Sequence, residues 1–127
     1  MSAPYRNFSA SQMTAAPSSI TEVLAVFARG EEPSAALVKA AVKESLAVLI
    51  AVAPGRSVEV RIPPYAAVQA IPGRTHRRGT PSAVVETDAR TWLELCIGLL
   101  EWTQVTNRVR ASGERSDLSA WLPLFDG

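Results

Sequence analysis

Residues 46–53, Leu-Ala-Val-Leu-Ile-Ala-Val-Ala, form an unbroken apolar run, and that run limits what the rest of the chain must build. From before the run and through it, Val38, Val42, Leu46, Leu49 and Val52 recur at helical spacing, and Lys39 and Lys43 mark the opposite, wet side. Ser34 stands where an N-cap belongs and Pro54-Gly55 where a helix must stop. The spacing therefore predicts a helix over Ala35–Ala53 whose second half has no wet side left and is expected to be buried all round. The run is far too short to span a bilayer, which needs about 20 apolar residues. It has to be covered by other parts of the same domain.

The covering elements can be read on either side. Ser19 and Glu22 have capping-box spacing, Ile20, Val23, Leu24 and Phe27 share one helical face, and Gly30 supplies a stop. Ser57–Ile62 alternates, with Val58, Val60 and Ile62 inward and Glu59 and Arg61 outward, as in a half-buried strand. Pro63-Pro64 turns the chain into a second strand, Tyr65–Ile71, and Pro72-Gly73 turns it again. After a basic loop, Ser82–Thr87 reads as a third strand, antiparallel to the second. Asp88 caps a helix over Ala89–Leu100, rich in apolar residues on more than one face. A turn or short helix around Glu101–Thr106 leads to a fourth strand, Arg108–Ser112, with Val109 and Ala111 inward. A last helix, capped by Ser116 or Asp117, would carry a stripe of Leu118, Trp121, Leu122 and Phe125. Strands grouped mid-chain between helices argue for an α+β domain: a largely antiparallel sheet with helices on one face.

The 127 residues suit one domain, spanning residues 18–127, preceded by a flexible Ser/Ala/Pro-rich arm over residues 1–17 that lacks periodicity. A net charge of +1 provides no global field for nucleic acid or an anionic membrane. One cysteine, Cys96, excludes an internal disulfide and fits a reducing, cytoplasmic setting. No secretory leader, phosphate-cradling glycine loop or zinc spacing is evident, so neither a metal nor a cofactor is expected.

Each reactive-looking group has a plainer account. His76, the single histidine, has no orienting partner that the sequence identifies, and no thiol or carboxylate at ligand spacing. Cys96, between Leu95 and Ile97, reads as a small buried hydrophobe. Glu86, Asp88 and Glu94 read as a strand end, a cap and a surface charge rather than a hydrolytic pair. Arg108, Arg110 and Arg115 read as a wet sheet face and loop ion pairs with Glu114 and Asp117. The loop Arg74-Thr75-His76-Arg77-Arg78 is either a solvated hairpin loop or a local grip for a carboxylate, a phosphate or an acidic partner. No catalytic residue emerges, and an enzyme is not expected.

Three blocks together carry a resemblance. They are Gly55–Gln69; the stretch Arg74–Pro81 followed by Val84–Asp88 and Thr91-Trp92-Leu93; and Arg108–Leu118. Over about residues 20–125 the chain resembles the bacterial, actinobacterial sterol-carrier-like family, related to the sterol carrier protein 2 domain. The resemblance implies a mostly antiparallel twisted sheet of four to five strands with helices covering one face. It also implies an apolar tunnel between sheet and helices for a fatty acid, sterol or other apolar ligand. Here the lining would be Leu95, Leu99, Trp102, Trp121, Leu122 and Phe125, with Arg74, His76, Arg77 and Arg78 at a polar head if the loop lies near the mouth. Fold does not transfer ligand, and two other readings stand beside this one. The first is a non-catalytic accessory or homodimerisation domain with a filled core, docking through its C-terminal helix. The second is an accessory module related to that of thiol-dependent maleylpyruvate isomerases.

Overall fold

The computed structural model describes residues 14–73, 83–113 and 115–126. Among these, the chain forms α1 (Ser18–Ala28), α2 (Ala35–Val52), β1 (Val58–Ile62), β2 (Ala66–Ala70), β3 (Ala83–Glu86), α3 (Ala89–Cys96), a short 3-10 helix (Trp102–Gln104) and β4 (Arg110–Ser112). The strands make one sheet in the order β2-β1-β3-β4. It is an α+β domain with a mixed sheet, consistent with the sterol carrier protein 2 fold.

The sheet order corrects one expectation. β3 does not pair with β2; it runs parallel to β1 on β1's other side, with Val58 opposite Ala83 and Val60 opposite Val85. The hairpin β1–β2 and the pair β3–β4 are antiparallel. A parallel neighbour needs a connection of roughly a dozen residues or more, and the chain between Ile62 and Ala83, which includes β2, provides it. The alternation read in β1 holds, since Val58, Val60 and Ile62 are fully buried. In β4, Ala111 stands opposite the buried Val85 and shares its face, yet it is exposed, because the edge strand extends past the cover of the helices.

The helix ends show why some boundaries were legible and others were not. Ser34 caps α2 as expected, its hydroxyl accepting from the Leu37 N–H at 3.2 Å. Asp88 caps α3 in the same way through the Thr91 N–H at 3.0 Å. The capping box at Ser19 does not form: α1 starts two residues earlier than that cap implies, after Pro17, and the Ser19 hydroxyl donates instead to Glu44 on α2 at 2.9 Å. α3 ends at Cys96, not Leu100. Gly98 takes a left-handed φ of 81°, so the N–H groups of Gly98 and Leu99 close back on Leu95 and Glu94, a Schellman ending.

The expected C-terminal helix is also absent: residues 118–121 make a turn and the chain then extends. Pro123 cannot donate an intrahelical hydrogen bond and pushes Leu122 away from helical geometry. The extended tail is put to use, because the N–H groups of Leu124 and Phe125 both reach the Cys96 carbonyl, at 2.8 and 3.0 Å, and satisfy the end of α3. Its neighbour Asp126 donates to the Thr14 carbonyl at 3.0 Å, and Ala15 bridges Asp126 in parallel. The last residues of the 1–17 segment are thus fixed against the tail; residues 1–13 lie outside the described residues.

The core lies between the helices and the sheet's inner face. Val23, Val42, Leu46, Leu49, Trp92, Leu93 and Leu95 close it with Val58, Val60 and Ile62. Its main polar group is Ser45, whose hydroxyl accepts from the Trp92 indole N–H at 2.8 Å and donates to the Val42 carbonyl at 2.7 Å. Among the described residues no buried side-chain nitrogen or oxygen lacks a partner. The apolar end of α2 is not buried all round: Ala47, Ile50 and Ala51 face outward, Ile50 with 39% of its surface exposed. One layer of helices covers only one side of α2, and alanine makes that exposed strip cheap. No helix among the described residues is long and apolar enough to cross a membrane.

Candidate functional site

Among the described residues, the six residues expected to line one tunnel are distributed between the core, the exposed surface and two surface clefts. Leu95 and Phe125 are sealed in the core, and Leu99, placed just past the Gly98 turn, is 62% exposed. Trp102 and Leu122 line a cleft of ≈ 350 Å³ with Gly98, Leu100, Ser119 and Pro123. Trp121 lines a different one, of ≈ 320 Å³, with Ile71, Pro72, Gly73, Arg115, Asp117 and Ala120. Residues 117–123 stand between the two clefts and contribute walls to both. The polar-head candidates Arg74, His76, Arg77 and Arg78 lie outside the described residues.

The Ile71–Trp121 cleft has the more unusual construction. Its walls are mostly apolar, and it is held open by backbone rather than by regular elements. Ile71, directly after β2, has φ of 73°, and Arg115 has φ of 67°; they are the two non-glycine residues with left-handed backbone among those described. That conformation is a genuine outlier for a β-branched residue and persists only where its surroundings over-determine it. At Ile71 they do. Its N–H donates to the Ala53 carbonyl at the end of α2 at 2.7 Å. Its carbonyl accepts from both the N–H and the hydroxyl of Ser57, the latter at 2.6 Å. Gly55 packs so closely that a Cβ there would lie 2.1 Å from that carbonyl oxygen. The cleft wall is therefore bolted to α2 and β1. Opposite it, Trp121 is buried at the end of the 118–121 turn, where its N–H reaches the Leu118 carbonyl at 2.9 Å.

The reactive-looking groups are committed elsewhere. Burial pushes the Cys96 thiol well above its ordinary range, against a lesser opposing effect of a hydrogen bond with Ser45, so the thiol is inert and enclosed. At Asp88, partial burial acts to raise the carboxyl, but hydrogen bonds from the Thr91 N–H and hydroxyl outweigh it and hold the group below its usual value. Glu94 pairs with Arg90 at 3.3 Å, and that guanidinium also lies 5.3 Å above the Phe27 ring, tying α3 to α1. Glu86 faces Arg61, which is shared with Glu59.

The sequence points to Trp121, Trp102 and Leu122 as lining of one tunnel between sheet and helices, and it does not point to Ile71, Gly73 or Arg115, which line the cleft at Trp121. The Pro72-Gly73 pair announced a turn; nothing in a β-branched side chain announced left-handed backbone before it.

Helices laid over one face of a small mixed sheet, with an open apolar cleft at its margin, define a small domain of the sterol-carrier type. The chain belongs to the family described as bacterial SCP ortholog, whose profile matches residues 34–124. The match begins at the cap of α2 and leaves α1 outside it. A search of the curated proteins returns no match. Membership points to a protein of lipid-carrier type.

Proposed function

We propose that this protein is a non-catalytic binder of an acyl chain or similar apolar ligand, held in the cleft between Ile71 and Trp121. The observation that carries the reading is that cleft: ≈ 320 Å³ with mostly apolar walls, beside the buried core between helices and sheet. Ligand sites span roughly 300–1,000 Å³, so the volume suits a short or medium chain, partly enclosed. The tail would be desolvated against Trp121, Ile71 and Ala120. Family membership supports the ligand class, and the inert thiol of Cys96 accords with binding rather than chemistry, and with a reducing cytoplasm.

Native mass spectrometry with dodecanoic acid tests it. A one-to-one adduct is expected with the wild-type chain, and its loss is expected in Ala120→Leu, which fills the cleft while leaving the melting temperature unchanged. The reading fails if no adduct forms, or if Ala120→Leu binds as well as the wild type.

A second reading, an accessory domain that docks on a protein partner or a second copy, is favoured by the exposed Leu99 and Ile50. It would act through these surfaces, because the C-terminal segment is folded into the domain. A monomer at all concentrations in sedimentation would remove the self-association form of this reading.

A further inference from the structure

We infer that Arg115 is the anchor for the carboxylate of an apolar monocarboxylic acid in this cleft; the inference rests on the proposed binding of an apolar ligand there. Its first support is the fit between Arg115 and Gly73. A Cβ on Gly73 would fall 2.9 Å from Arg115 Nε, and 2.8 and 2.9 Å from Ser57 Cβ and Oγ. Glycine at this position makes room for the guanidinium against the backbone of the cleft rim. The left-handed backbone of Arg115 sets the direction from which the side chain arrives.

The second support is the contrast with other arginines. Arg29, Arg61 and Arg90 each make an ion pair with a neighbouring glutamate. Among the described residues Arg115 makes none, nor do Arg56, Arg108 and Arg110, but of these four Arg115 alone lines the apolar cleft. A planar guanidinium with several donors matches a carboxylate in bidentate fashion.

The third support limits the anion's charge. Asp117 lines the same cleft, and its Oδ1 accepts from the Ser119 N–H at 2.9 Å, which fixes the carboxylate at the rim. One cation against one fixed anion suits a singly charged head and disfavours a dianionic phosphate by like-charge repulsion. The apolar walls then select the tail.

Calorimetric titration of the full chain with dodecanoic acid, dodecanol and dodecyl phosphate tests the assignment, using the wild type, Arg115→Gln and Arg115→Lys. The acid is expected to bind about tenfold more tightly than the alcohol, the scale of a charge-assisted hydrogen bond. Arg115→Gln is expected to remove that preference and leave the affinity for dodecanol unchanged, and Arg115→Lys to keep part of it. If acid and alcohol bind the wild type equally, or Arg115→Gln leaves the acid's affinity unchanged, Arg115 is not the anchor, while the apolar cleft stands. If dodecyl phosphate binds more tightly than the acid, the singly charged head is wrong. If none of the three binds, the proposed function itself falls, and the anchor with it.

Discussion

The space between the helices and the sheet and the cleft beside Trp121 lie a few residues apart in the chain, yet they are built by opposite means. The first is bounded by regular elements, with Leu49, Trp92 and Val60 buried in it and the Ser45 hydroxyl accepting from the Trp92 indole. The second is bounded by Ile71 and Arg115 in left-handed backbone and by a turn at 118–121. Periodic segments present even faces that interdigitate to native density and leave no room. A concavity appears where the chain leaves periodicity and strained residues hold two backbone stretches apart. In this domain the fold's frame and its receptive surface are consequently separable by mutation.

The largest effect expected of a test of that separation is in the frame. Leu49→Ala removes a fully buried side chain at the centre of α2 and should cost about 2–5 kcal/mol in urea unfolding. Fatty-acid affinity of the fraction still folded should not change; a large change would show that the two regions are one. Gly55→Ala attacks the bolt between them, since its Cβ would collide with the Ile71 carbonyl. A loss of about 1–3 kcal/mol is expected from overpacking, together with weakened dodecanoic acid binding as Ile71 is displaced. Lost stability with intact binding would sever the proposed link.

The smallest effect lies at the far end of the frame. Asp88→Ala removes the cap of α3 and should cost about 1 kcal/mol near neutral pH, with binding intact. Because the folded carboxyl sits below its ordinary value of about 3.9, the wild type's advantage over the variant is full above that value. It should fade as the pH falls through the lower folded value. Unfolding both proteins at pH 7 and in the acid range measures this; a constant gap would mean that the Asp88 charge is not what stabilises the cap.

What could be read beforehand followed local chemistry. Ser34 and Asp88 announced caps that form, and the alternation of Val58, Val60 and Ile62 announced an inner face. The errors arose where a remote or overlooked group decided. Gly98 and Pro123 each outweigh the apolar spacing that surrounds them, so α3 stops early and the tail stays extended. The side of β1 on which β3 lands depends on the long connection after β2, which leaves no trace in the alternation of either strand. The cleft was the least legible part, because its key feature is a backbone angle at Ile71, and its cation, Arg115, looks like any surface arginine until Gly73 is found beneath it.

The pairing of Ala15 with Asp126 has a practical corollary. Since Thr14 and Asp126 are hydrogen-bonded neighbours, a short peptide joining those two positions would span almost no distance, and the chain could be reopened at the exposed turn around Gly30. Such a rearranged gene product would keep the sheet order and the cleft unchanged. It would also present new ends beside α1, the helix outside the matched family region.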